Sequence, residues 1–272
     1  MVAMDIILLL IPVALGWIAG LFINYAADVL PGTRRLSQPV CIHCNSPFAW
    51  TDYLLLRPCR NCGRRRTLRT WLVQILTVTA FVYLWQFPAK PWLFPNKALG
   101  VALGMLVLVY FGIVMVIDLE HRLILHPTSL AGAILGFIVG TSLHSRVDGL
   151  LVGAGKSLLG GLFGFGVMFL LYQFGTLVAR LRSRKMRRAG QAEDDEEALG
   201  GGDVYLAGVL GLMLGWPFIW NALLLGVLLG GLFSLLFLLV LILRRRYAGD
   251  ALMTFIPYGP YFIIGAFYLL FL

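Results

Sequence analysis

The stretch "ALGVALGMLVLVYFGIVMVID", Ala98 to Asp118, is a run of twenty uncharged residues that ends on a carboxylate. A helix needs about 20 predominantly apolar residues to cross the roughly 30 Å hydrocarbon core of a bilayer, so the run reads as a transmembrane helix. Comparable runs occur at about 4–26, 150–179, 220–243 and 254–272, with shorter or interrupted ones at 71–87, 128–144 and 203–217. The expected fold is therefore an all-α membrane protein of about eight transmembrane helices, the short candidates having re-entrant or buried core segments as their alternative. Composition agrees: 60% of residues are hydrophobic and only 13% charged, against about one quarter charged in soluble domains. The first run lacks a basic leading region and carries Asp5, so it reads as a retained span and not as a signal peptide.

The formal net charge is +9, which raises nucleic acid as a partner. The basic residues decide against it. Eight arginines fall between Arg34 and Arg69, six basic residues run from Arg180 to Arg188, and three more are Arg244, Arg245 and Arg246. With eight spans these loops share one side, which the positive-inside rule makes the cytosol, with both termini outside. Charge spread over several loops without an aromatic-lined groove suits a surface lying against anionic headgroups, and no nucleic-acid role is expected. The expected location is a bacterial cytoplasmic membrane, crossed several times.

The first long loop, 27–70, holds all four cysteines of the chain, in "CIHC" and "CRNC". Cys41, Cys44, Cys59 and Cys62 form two pairs separated by fourteen residues, a spacing that suits two knuckles completing a tetrahedral shell around structural zinc. Two disulfides are the alternative, disfavoured in a reducing compartment. A closed four-thiolate site leaves no open position for a substrate, so such zinc organises the loop and does no chemistry. His43, inside the first knuckle, reads as a solvated loop residue. The second loop, about 180–202, passes from a basic block to the run Glu193, Asp194, Asp195, Glu196 and Glu197 and reads as a mobile cytosolic linker. The expected organisation is a first span over 1–26, the zinc loop over 27–70 and a membrane core over 71–272.

Carboxylates at membrane depth are functional hints, because each costs several kcal/mol to place there. Asp5, Asp148 and Asp250 sit at span ends and read as solvated boundary residues, and Asp28 reads as an anchor for the passage from the first span into the zinc loop. Asp118 and Asp203 differ. Asp118 closes an uninterrupted apolar run, and Asp203 opens another behind Gly200, Gly201 and Gly202, whose missing side chains allow close backbone approach. Both are expected at the cytosolic membrane face. Two carboxylates sharing one proton and one water are the machinery of an aspartic peptidase: one activates the water while the other protonates the carbonyl or the leaving amine.

Five motifs in order give the chain a family resemblance. "GWIAGLFINYAADVLP" with Asn24, the "CIHC" and "CRNC" knuckles, "VMVIDLEHRLILHP", "GGGDVYLAG" and "IPYGPYFIIGA" together resemble the type IV prepilin peptidases, membrane aspartic proteases of the Gly-x-Gly-Asp class. The resemblance implies that Asp118 and Asp203 are catalytic, that the knuckles hold zinc, and that the substrates are prepilin-like precursors whose basic leader is removed before an apolar helix. Some members also methylate the new N-terminus with S-adenosylmethionine. The chain departs from the pattern at Tyr205, where a lysine is usual, and at His126 and Pro127, where Pro-Asp is usual. It departs again at Gln74 and Val78, where the family has Glu and Gly; this altered stretch predicts cleavage with weak or absent methyl transfer. His121 and His126 read as headgroup-level residues. A non-catalytic pilin-binding assembly factor and an ion-coupled transporter are the rival readings; the retained aspartates weigh against the first, and the lack of mid-span acids and internal repeats against the second.

Overall fold

The computed structural model describes residues 2–41, 43–87, 97–188, 200–243 and 258–272. These residues form helices α1 (Val2–Thr33), α2 (Trp50–Leu54), α3 (Leu68–Gln86), α4 (Lys97–His121), α5 (His126–Asp148), α6 (Leu150–Arg188), α7 (Gly201–Leu214), α8 (Phe218–Leu243) and α9 (Gly259–Phe271). Among them there is no strand, only an isolated bridge between Val40 and Pro47. Six helices, α1, α3, α4, α5, α6 and α8, are long and apolar enough to cross a membrane, and α7 and α9 are shorter apolar helices. The fold is thus the all-α membrane architecture expected, with the cysteine loop following the first helix. Its outward surface is that of a lipid-immersed protein: Leu151 is 88% and Leu162 70% exposed on α6, a display of apolar area that water would penalise.

The runs expected at 203–217 and 254–272 are trimmed. Helix α7 has 14 residues and α9 has 13, about 20 Å of rise each and short of a full crossing. Gly215, at φ +69°, ends α7 just before Pro217, a residue that cannot donate a helical hydrogen bond. Residues 254–257 lie outside the described residues. The basic block expected in a linker instead continues α6 as helix through Arg188; the acidic run 193–197 and Asp250 lie outside the described residues.

The chain forms two compact units, Met1–Thr128 and Ser129–Leu272. In the first, α1 packs on α3 and α4. Ile23, Ala26, Ala27 and Leu30 of α1 form a buried cluster with Ile113, Ile117 and Leu125. Gly16 and Gly20, one turn apart, let α3 approach closely: a Cβ on Gly20 would stand 2.8 Å from Gln74 Oε1. In the second unit, α6 and α7 touch backbone to backbone. A Cβ on Gly211 would lie 2.2 Å from the Gly160 carbonyl oxygen, and one on Gly164 2.4 Å from that of Ala207. Small residues at such contacts are how membrane helices gain packing where lipid supplies no hydrophobic drive between them. Ser157 reinforces the contact, donating its hydroxyl to the Leu212 carbonyl at 2.7 Å. Asp203 therefore stands on a helix fixed along its length.

Candidate active site and metal centre

The loop between α1 and α3 folds each cysteine pair into the same turn. The Cys41 N–H donates to the Ser46 carbonyl at 2.9 Å and the Asn45 N–H to the Cys41 carbonyl at 2.9 Å; Cys59 with Arg64, and Gly63 with Cys59, repeat the pattern at 3.1 and 2.8 Å. Asn45 and Gly63 hold the matching positive-φ position, at 51° and 68°, which Asn and Gly tolerate best. The repeat brings all four sulfurs within 4.8 Å of one another. Cys41 Sγ lies 3.7 Å from Cys62 Sγ, and Cys44 Sγ 3.7 Å from Cys59 Sγ. All four are free thiols, so the disulfide alternative finds no support. A tetrahedral zinc with bonds near 2.3 Å has sulfur–sulfur edges of about 3.8 Å, and the donor set fits. His43 is exposed and outside this group. Ser46, which the sequence reading passed over, meets Cys44 Sγ at 2.9 Å and Cys59 Sγ at 3.5 Å. Hydrogen bonds from the Cys62 backbone, the Ser46 hydroxyl and the Asn61 backbone lower the Cys59 thiol to about 6. The N–H of Arg64 favours the Cys62 thiolate, but burial and the neighbouring cysteines outweigh it and push that thiol up to about 11. Four crowded sulfurs that cannot all ionise together are what a divalent cation resolves.

The loop is tied to the helices by charge. Asp28, on α1, accepts the Tyr53 hydroxyl at 2.5 Å and an ion pair from Arg69 at the start of α3. Arg69 also holds Glu120 near the end of α4, at 2.9 Å. The expected anchoring role of Asp28 is thus visible, and its partners sit 25 and 41 residues away in sequence. Burial, and then the Asp28 charge, raise the Tyr53 phenol well above its ordinary value. Asp52 is buried and paired with Arg60, whose Nη2 donates at 2.9 Å. Tyr53, Phe48, Cys41 and Cys59 make the small core of the loop.

Asp118 lies in the last turn of α4, 4% exposed, next to fully buried Ile117. Its Oδ2 is buried with no hydrogen-bond partner among the described residues. Arg122, at φ 53°, ends the helix and donates its N–H to the Asp118 carbonyl at 2.9 Å. A carboxylate oxygen left without a donor, at the negative end of a helix, is costly to keep buried and marks a working group. His121 and His126 are exposed.

Asp203 belongs to the second unit, in the first turn of α7 and 7% exposed, at the end where peptide dipoles favour an anion. Its N–H bonds the Gly200 carbonyl at 3.1 Å. Gly200 and Gly201 do not serve close packing as expected. A Cβ on Gly201 would meet nothing within 4 Å, one on Gly200 would only touch Asp203 Oδ2 at 3.8 Å, and Gly200 has an ordinary φ of −70°. Gly200 thus leaves room beside the carboxylate. Tyr205 is 46% exposed and packs edge-on against Phe165, 6.0 Å between ring centres.

Both aspartates fall within residues 105–235, which match the model of the type IV leader peptidase family. Over this segment, a little under half of the chain, the protein is similar to the type IV leader peptidase family. A relative, "Prepilin leader peptidase/N-methyltransferase" of Myxococcus xanthus (strain DK1622), is 29% identical over 224 residues, 77% of this chain and 57% of the relative. The chain thus spans little more than half the length of that relative. No solved structure matches. The family resemblance read from five motifs agrees with both findings. Asn24, in the first of those motifs, is 1% exposed and donates Nδ2 to the Gly20 and Thr70 carbonyls at 3.0 and 3.2 Å, joining α1 to the start of α3. Gln74 is fully buried and donates Nε2 to the Trp17 carbonyl at 2.6 Å, so it faces α1 and not lipid.

Proposed function

We propose that this protein is a member of the leader peptidase family and a membrane aspartic endopeptidase that removes the leader from prepilin-like precursors, with Asp118 and Asp203 as its catalytic carboxylates. The observation that carries the reading is Asp118: a buried carboxylate at a helix end, with an oxygen lacking a donor, inside the segment that matches the family. Asp203, buried at the head of α7 behind glycines that leave room beside it, is the second. In the reaction one carboxylate takes a proton from a water as it attacks the scissile carbonyl. The other delivers its proton to the carbonyl oxygen; as the resulting gem-diol collapses, the first gives its proton to the leaving amine while the second recovers one from a diol hydroxyl, and the pair returns to sharing one proton. The loop 27–70 serves as a zinc-organised domain, its four cysteines binding the ion without an open coordination position. The basic loops favour the cytosolic side of a bacterial cytoplasmic membrane for this domain and the active site.

The methyl-transfer half of the relative's name carries over less well. Methyl transfer must seat a neutral amine in line with a sulfonium methyl. Gln74 and Val78 lie in the contact between α1 and α3, where a Cβ on Gly16 would stand 2.8 Å from Val78 Cα. They leave no carboxylate and little space for S-adenosylmethionine there. The proposed activity is cleavage with weak or absent methylation. The experiment is processing of a prepilin in liposomes by the wild type and by Asp118→Asn and Asp203→Asn: each variant is expected to lose cleavage by several orders of magnitude while remaining inserted. The double variant should lose little more, because the pair acts as a unit. Near wild-type processing by either single variant would refute the assignment.

A further inference from the structure

We propose that the cavity between the cysteine loop and the meeting point of α1 and α3 binds a phosphate-bearing anion. The cavity has a volume of about 340 Å³ and is lined by Arg64, Arg65, Arg66 and Arg69 against the single carboxylate of Asp28. That carboxylate is already engaged by Arg69 and Tyr53, and Arg69 is engaged again by Glu120. The charge of the other three arginines is not met by any carboxylate of the lining. Arg66 is the most telling. Its guanidinium lies 4.4 Å from the Phe48 ring centre and 4.2 Å from that of Tyr53, and its Nε and Nη2 are buried with no hydrogen-bond partner among the described residues. Donors held rigidly in this way, without acceptors, have the form of a built site.

The backbone adds to the field. Thr67 caps α3 with its hydroxyl on that of Thr70, 3.3 Å away, and not on a backbone N–H of the first turn, and Thr67, Arg69 and Thr70 line the cavity, so the first turn of a 19-residue helix opens there with its positive end. A phosphate offers three oxygens to planar guanidinium forks arriving from different directions, which a carboxylate cannot do. The volume is at the low end for ligand pockets, enough for a small headgroup. The height suits one as well: the candidate spans Leu9–Thr33 and Leu68–Gln86 both end at this cavity, the depth at which lipid phosphates lie. A lipid headgroup and free orthophosphate share this chemistry.

The full chain, purified in detergent with its metal in place, is incubated with phosphatidylglycerol and phosphatidylcholine and read by native mass spectrometry, with and without millimolar inorganic phosphate. The expected result is retention of phosphatidylglycerol about tenfold over phosphatidylcholine, lost by about tenfold in Arg64→Gln/Arg65→Gln and in Arg66→Lys. The exposed pair Arg34→Gln/Arg35→Gln, which removes equal charge outside the cavity, should keep the lipid. Displacement of the lipid by inorganic phosphate assigns the site to the free anion, and persistence assigns it to the headgroup. Equal retention of the two lipids, equal loss in the two double variants, or displacement by an acidic peptide but not by phosphate would each overturn the proposal. None of these outcomes depends on the peptidase reading, which the aspartate variants test separately.

Discussion

Tyr53 of the cysteine loop donates its hydroxyl to Asp28 of α1 at 2.5 Å, which fixes the loop to the membrane helices through a buried phenol and a carboxylate. Removing one hydroxyl tests the tie. Tyr53→Phe keeps the ring contacts and loses a hydrogen bond to a charged acceptor, worth about 1.5–3 kcal/mol. The expected outcome is a loop cut faster by protease between Arg34 and Thr67 in a limited digestion of the full chain, with the membrane helices spared.

The same pair gives a pH dependence. The bound form of Tyr53 is the neutral phenol, and burial with the Asp28 charge raises its ionisation above the ordinary value. Its contribution is therefore whole below about pH 10, where the unfolded phenol is also neutral, and is lost as pH climbs towards the raised value. Thermal melts of the wild type should fall more steeply above pH 10 than those of Tyr53→Phe, and parallel curves would remove Tyr53 from the account.

Metal content is the third expectation. Purified without added zinc, the chain should carry one zinc ion, and Cys59→Ser should carry much less, since a hydroxyl is a poor substitute for the thiolate that Ser46 and the backbone already favour. Chelation should open the 27–70 loop, because so small a core, Cys41, Phe48, Tyr53 and Cys59, holds little without its ion. Metal analysis beside the digestion pattern checks both.

A pair of glycine substitutions separates packing from access. Gly211→Ala drives a methyl to 2.2 Å from the Gly160 carbonyl and should cost about 1–3 kcal/mol or more by overpacking. Gly200→Ala makes only an ordinary contact, 3.8 Å from Asp203 Oδ2, and should leave the melting temperature nearly unchanged. If the peptidase reading holds, it should instead lower the cleavage rate by filling room beside that carboxylate. Melting curves in one detergent compare the two.

The fifth expectation concerns the product. Incubated with a prepilin and S-adenosylmethionine, the chain should release a cleaved product with little added methyl mass. A stoichiometric gain of one methyl would return Gln74 and Val78 to the status of neutral packing residues.

Sequence alone determined what depends on local pattern. Twenty apolar residues before Asp118 specify a membrane helix because each must bury its backbone polar groups within itself, and two Cys-x-x-Cys pairs specify a shared shell because each short turn aims two sulfurs at one point. Candidate residues Asp118 and Asp203 were also legible, since a carboxylate closing or opening an apolar run is conspicuous by its cost. Tertiary structure decided what depends on contacts between distant segments. Nothing local to Asp28 says that it will meet Tyr53 and Arg69, 25 and 41 residues on, and nothing local to Gly160 says that its carbonyl will face Gly211. Gly200 and Gly201 before Asp203 looked like packing glycines and proved to border open space, whereas the glycines within α6 carry the close contact. The physical reason is the same in each case. Periodicity and spacing fix which way a side chain can point, but only the packed helices fix what stands opposite it, and the energy of a buried charge or a missing Cβ is set by that neighbour.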